Sequence, residues 1–323
     1  MSKKIIEYIK KFLPFIGIVV LIIIVINLDL EKIKTAFLSI KPIFIILSMS
    51  LLLPIMIIRN YVWQIILKGQ KIKLTFFQSL KIYIIGFFYS SITPGFLGHL
   101  MRIPYIKEKT DEPYGKLFVN ILIDTVIRTI AEFLIILIGA LIIFTFFPEI
   151  FIICFIIFTI VGLILYYFIK KERGEKFFYS LVRYFIPKKF KDSSYKFVNT
   201  FYHDFPKISL LILPLILGIF VWILIFTQEY IIVYAMGVNI PYLYFLLLFP
   251  IANLAGYLPI TIAGLGMREF TSIMIFSTLF GVEKEQILVF TLVGFVITDL
   301  FLGFLGFLIS LTEAVNNKKI IKD

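Results

Sequence analysis

The sequence predicts an all-α, polytopic helical membrane protein with an inverted internal repeat and two broken or re-entrant helical hairpins. Of its 323 residues 60% are hydrophobic and the mean hydropathy is +1.01, with weakly charged runs repeatedly long enough to cross a bilayer. The basic residues behind the net charge of +12 gather between those runs, as the positive-inside rule expects. Two segments, Ser91–Arg102 and Tyr257–Glu269, each interrupt an apolar stretch with a proline, set a glycine four residues before an arginine and then resume an apolar pattern. An unpaired peptide group in hydrocarbon costs several kcal/mol, so such breaks persist only where protein or a wet cavity covers them. Matching Gly/Pro interruptions in two halves of a membrane chain point to a transporter's central site.

The elements follow in order. The run Phe12 to Leu28 is too long for a signal-peptide core and lacks a small-residue cleavage site, so it is expected to stay as a first span. Further spans are expected at 42–60, 117–147, 149–169, 208–235 and 286–311, and the segments 82–106 and 242–281 hold the breaks. Lys10, Lys11, Lys68, Lys71, Lys73 and Lys81 place the N-terminus and the loop after the second span in the cytoplasm. Lys318, Lys319 and Lys322 place the C-terminus there too. A full crossing at Pro94 would leave Arg102, Lys107, Lys109 and Lys116 outside, whereas a hairpin that enters from the cytoplasm and returns removes that conflict. The segment around Pro259 must then enter from the outer face, which makes the two hairpins oppositely oriented. The competing count, in which both broken segments cross fully, also returns the C-terminus to the cytoplasm. The expected organisation is one integral membrane domain over 1–323, with repeat halves near 42–147 and 208–312.

The stretch 170–207 is the largest connection, with ten Lys/Arg against four Asp/Glu. Phe177, Phe178, Leu181, Val182, Tyr184 and Phe185 fall on one helical face, suited to the inner headgroup layer. An ordinary positive-inside connector explains the same pattern. About 38 residues are too few to bury the core of a catalytic domain.

Asp124, Arg128 and Glu132 recur at four-residue spacing, within about 80° of one helix face and about 12 to 24 Å into the membrane. With Asp299 in the last span, four intramembrane charges cost on the order of 12 kcal/mol, so they must face one another or a wet cavity. An internal salt bridge fixing helix packing is one reading. The other has Arg128 hold an anionic substrate while Asp124 and Glu132 tune it. Arg102 and Arg268 are stronger candidates for substrate contact, because each follows a glycine-rich break whose N–H groups suit phosphate. Glu269 stands beside Arg268 as a possible partner, and either arginine could instead snorkel to the interface. Gln228, Glu229, Asn253, Thr261 and Thr298 could line the same cavity, though each also suits a packing contact.

No enzyme signature emerges. His99, His203 and Cys154 have no metal-ligand spacing, Gly264-Leu265-Gly266 lacks the third glycine of a dinucleotide fingerprint, and there is no P-loop. The expectation is a protein without cofactor or metal. The lone Cys154 excludes an internal disulfide, and the basic charge is assigned to membrane topology and anionic lipid rather than to nucleic acid.

At Pro94-Gly95-x-x-Gly98 with Arg102, and more sharply at Leu258-Pro259-Ile260-Thr261-x-x-Gly264-Leu265-Gly266-Met267-Arg268-Glu269, the chain resembles a known family. It looks like the flippase-like membrane region of lysylphosphatidylglycerol synthases, over roughly residues 10 to 312. The resemblance implies a region that moves or accommodates a lipid across the bilayer, fused in some archaeal relatives to a glycosyltransferase. It points to Pro94, Gly95, Gly98, Arg102, Pro259, Gly264, Gly266, Arg268 and Glu269. The family often has Asp-Arg where Asp124-Thr125 stands, with Arg128 one turn later, and His99 replaces a commonly small or acidic residue. It does not extend to an aminoacyl-transferase domain.

The leading expectation is a multi-pass cell-membrane protein that binds an anionic phospho- or polyprenyl-phosphate lipid and passes it between leaflets. Arg102 and Arg268 would contact phosphate, Gly95, Gly98, Gly264 and Gly266 would admit backbone to it, and Asp124, Glu132, Asp299 and Glu269 would prevent permanent capture. The alternative is a non-catalytic membrane subunit that docks a separate lipid-directed glycosyltransferase or aminoacyl-transferase. A scaffold needs the glycines but gains nothing from two buried cations.

Overall fold

The computed structural model describes residues 16–320 except 94, 204, 259, 260 and 262, and among these it is helical without strands. Pro94, Pro259, the start of the first expected span and the terminal Lys10, Lys11 and Lys322 lie outside the described residues.

The Ile/Val run forms α1 (Ile16–Ile26) and stops at polar Asn27. Asp29 then caps α2 (Leu30–Leu38), its carboxylate accepting the Glu31 and Lys32 N–H groups. Pro42 opens α3 (Pro42–Ser50), which runs on through Leu51 into α4 (Leu52–Gly69), together a 28-residue apolar stretch. Next come α5 (Phe76–Ile92), a 3-10 turn at Gly95–Met101 and α6 (Arg102–Lys109). Two long apolar helices follow, α7 (Tyr114–Ile142) and α8 (Pro148–Ile169). The basic connection folds as α9 (Lys171–Phe185) and α10 (Lys188–His203). Beyond it lie α11 (Ile212–Ala235), α12 (Tyr242–Gly256) and α13 (Met267–Phe280), the last closed by Gly281 at φ +64°. The final stretch is α14 (Lys284–Phe295), a π turn at Val296–Leu300 and α15 (Phe301–Ile320). Among the described residues, five stretches are long and apolar enough to cross a membrane: Pro42–Gly69, Tyr114–Ile142, Pro148–Phe168, Ile208–Ala235 and Lys284–Glu313.

The chain divides into two compact units. The first comprises the residues up to Asn60, Phe77–Met101 and those from Phe220 onward; the second comprises Tyr61–Phe76 and Arg102–Ile219. The first centres on buried Phe245, whose ring stacks on Phe249 at 4.9 Å and Phe276 at 5.5 Å and meets Phe290 edge-on at 5.8 Å. In the same unit α15 crosses α5 where side chains are absent: a β-carbon at Gly306 would overlap the Ile84 carbonyl, and one at Gly303 would press on Ser91. Small residues that let backbones approach replace the hydrophobic effect as the packing device in lipid.

The second unit is built on Ile66, Val119, Ile123 and Ile127, covered by Phe205, Leu211 and Leu215. Within it α9 and α10 pack together, Val182 of one and Val198 of the other are buried, and Tyr179 donates to Asn199. Tyr202 fills the space where a Gly174 side chain would stand. Burial, with Glu175 nearby, pushes its phenol up to about 12, so the hydroxyl keeps its proton. Phe177, Leu181, Tyr184, Phe185 and Phe197 remain exposed among basic residues, the composition suited to a headgroup layer.

Candidate functional site

Both breaks double back on the helix that precedes them. A β-carbon at Gly98 would overlap the Ser90 backbone, eight residues earlier. One at Gly264 would stand 3.3 Å from the Gly256 α-carbon, again eight residues earlier. Four residues after each glycine comes the arginine, Arg102 as the first residue of α6 and Arg268 as the second of α13. Both arginines are buried, at 0% and 4% exposure.

In the first unit the second break needs left-handed backbone at Ala263 (φ +51°), Gly264 (φ +80°) and Gly266 (φ +86°). Thr261 steadies the turn, its hydroxyl bonding the Gly256 carbonyl at 2.6 Å. Gly266 also lies so close to α1 that a side chain there would overlap the Gly17 carbonyl. The first helical residues then expose N–H groups, and Glu269 at the third helical position reaches back to take that of Gly266 at 2.6 Å. Its other oxygen accepts from Arg268 Nε at 3.1 Å and Nη2 at 2.9 Å. Glu269 therefore occupies, as a resident carboxylate, the place at this helix start that a bound anion would take. Arg268 also lies over Phe295 at 5.3 Å, bonds the Thr291 carbonyl at 3.4 Å and faces Asp299 at 3.8 Å.

Asp299 sits in the π turn with its side chain 29% exposed, and accepts from Thr298 at 3.0 Å. Single π turns inside α-helices recur at functional sites. Buried Glu229 rests against Gly294, leaving no room for any side chain there, and its Oε2 has no hydrogen-bond partner among the described residues. Gln228 beside it is buried with both amide atoms equally unpartnered.

In the second unit Arg102 Nη2 donates to Asp124 Oδ2 at 2.7 Å, with its guanidinium 4.9 Å from the Trp63 ring centre. The Trp63 indole N–H donates to Asn120 at 2.7 Å, and Asn120 donates to Gln70 at 2.7 Å, so a buried relay holds the ring under the cation. Arg128 approaches the same Asp124 oxygen at 3.5 Å and bonds Thr125 at 3.4 Å. Glu132 is buried one turn further along α7. Asp124 thus joins Arg102 to the stripe on α7, a link spanning 22 residues.

A family model for the lysylphosphatidylglycerol synthase TM region matches residues 14–306, which covers both breaks and both arginine sites. The chain belongs to that family. Membership in the lysylphosphatidylglycerol synthase TM region family associates this membrane protein with lipid handling. No curated protein matches the chain closely enough to count as a relative.

Several residues of the two sites escape sequence reasoning. Trp63 and Asn120 lie among apolar residues without periodic signal, Gln70 sits in a lysine-rich turn that reads as a connection, and Phe295 is one of 37 phenylalanines. Arg59, outside these two sites, is missed because the apolar run is read as ending at Asn60, whereas α4 continues to Gly69.

Proposed function

We propose that this chain binds the headgroup of an anionic phospho- or polyprenyl-phosphate lipid and passes it between leaflets. The observation that carries this reading is the pair of buried arginines, each set one turn after a glycine at which the chain doubles back and each held by a carboxylate. A guanidinium already paired with a carboxylate is arranged for exchange: a phosphate presents the same fork of acceptors, and the displaced acid limits how tightly it is kept. Arg268, held by Glu269 at 2.9 Å, also faces the partly exposed Asp299 at 3.8 Å. Arg102 and Arg128 share Asp124, so a headgroup there would meet two cations and one acid. The glycines Gly95, Gly98, Gly264 and Gly266 let backbone come close, and Glu132 contributes negative charge beside Arg128.

The test is leaflet exchange in proteoliposomes with fluorescent phosphatidylglycerol and a polyprenyl phosphate. Wild-type protein is expected to accelerate exchange, and Arg268→Lys and Arg102→Lys to slow it several-fold at equal protein content, because a lysine point charge cannot reproduce a bidentate contact. Absence of exchange above empty liposomes for both lipids would count against translocation. Exchange unchanged in both variants would favour the alternative, a membrane subunit that docks a separate lipid-directed transferase.

A further inference from the structure

One intramembrane cation stands apart from the two sites described. Arg59 lies ten residues before the end of α4, about 15 Å from that end at the helical rise. A cation at this depth is retained where it meets a counter-charge or a wet cavity. Yet among the described residues its guanidinium makes no hydrogen bond and no carboxylate reaches ion-pair distance, and its Nε is buried without a partner. Arg268 in the same unit, by contrast, is held by Glu269 at 2.9 Å.

What holds Arg59 is aromatic. Its guanidinium carbon lies 5.6 Å from the Trp222 ring centre and 6.0 Å from that of Phe87. Ring faces steady a guanidinium and favour its charge without consuming its N–H donors, which stay available in the plane of the group.

We propose that Arg59 is an oxyanion contact, whose free donors take a phosphate-type group bidentately between Phe87 and Trp222. The proposal deepens the lipid-handling reading and rests on it for the source of the anion: the phosphodiester of a lipid headgroup supplies this chemistry, and so does free phosphate. The full chain, purified in detergent, is titrated with phosphatidylglycerol, with phosphatidylcholine and with inorganic phosphate. Binding is read by Trp222 emission, since that ring adjoins the guanidinium, and by bound lipid in native mass spectrometry. With Trp63→Phe as background, phosphatidylglycerol is expected to shift the emission where phosphatidylcholine does not, Trp222→Phe to abolish the shift, and Arg59→Gln to weaken binding about tenfold, the loss of one charge-assisted contact. A response to inorganic phosphate with none to phosphatidylglycerol would keep Arg59 as the contact and assign it free phosphate.

Arg59→Lys keeps the charge at this position and with it the fold, and is expected to bind several-fold more weakly than wild type. Wild-type affinity in both Arg59 variants, or no response to either anion, would overturn the proposal. Leaflet exchange separates the two readings. Exchange that persists undiminished in Arg59→Gln overturns the Arg59 contact and leaves translocation standing; Arg59-dependent binding without exchange does the reverse.

Discussion

The Glu229 carboxylate lies against the α-carbon of Gly294, in the volume that any other residue at 294 would fill. A helix of α11 and a helix of α14 are thereby interlocked by an acid and the absence of a side chain. Gly294→Ala is expected to destabilise the protein by about 1 to 3 kcal/mol through overpacking, and Glu229→Ala in the same chain to recover part of that loss. Thermal unfolding in detergent of the two single variants and the double variant measures the coupling; additive losses would show that the contact carries no weight.

Asp124 bonds Arg102 at 2.7 Å and only approaches Arg128, at 3.5 Å. Removing the acid leaves two cations in low dielectric, so Asp124→Asn is expected to cost about 3 to 5 kcal/mol. In double-mutant cycles the coupling of Asp124 to Arg102 should exceed its coupling to Arg128. The reverse order would mean that the α7 stripe, not the link to α6, is the stabilising unit.

The glycines differ in what a methyl group would meet. Gly266→Ala should be the most harmful, because it combines φ +86° with overlap of the Gly17 carbonyl. Gly98→Ala, which would overlap the Ser90 backbone, should also lower folded protein in the membrane. Gly162→Ala in α8 meets nothing within 4 Å and should be neutral or stabilise by up to about 1 kcal/mol from helix propensity. Yields of monodisperse protein and melting temperatures rank the three.

Topology is tested by cysteines placed singly at Lys109 and Lys188 after Cys154→Ser. Both are expected to react with impermeant thiol reagent only from the cytoplasmic side, as the basic residues around α6 and α10 require. Labelling of position 109 from outside would remove the inward hairpin and the inverted repeat with it.

The long helices are legible because apolar length alone identifies them: 149–169 is expected and Pro148–Ile169 is found, 208–235 is expected and Ile208–Ala235 begins and ends with the same residues. Where a polar residue is taken as a boundary the reading fails. A span ending at 60 puts Arg59 at its margin, but Val62, Trp63, Ile66 and Leu67 are buried in the continuing helix, and the cation falls inside the 28-residue apolar stretch Pro42–Gly69. The four-residue step from Gly98 to Arg102 and from Gly264 to Arg268 is also plain in the sequence. What the glycines do is not, since lying on a residue eight positions back is a property of the folded path. Pairing of Arg102 with Asp124 is hidden for the same reason: a turn separates them, and no periodicity connects two helices.

The seat of Gly17 against Gly266 sets a schedule for biosynthesis. The two residues are separated by about 250 positions, and at ribosomal speeds of about 5 to 20 residues per second the later one is made roughly 12 to 50 s after the earlier. Throughout that interval α1 lacks its docking surface at Gly17, and the second break, once made, is covered only when α1 is still within reach. Closure of this unit waits on a segment made long before its partner, so an insertion defect at α1 would surface as a folding defect at the second break.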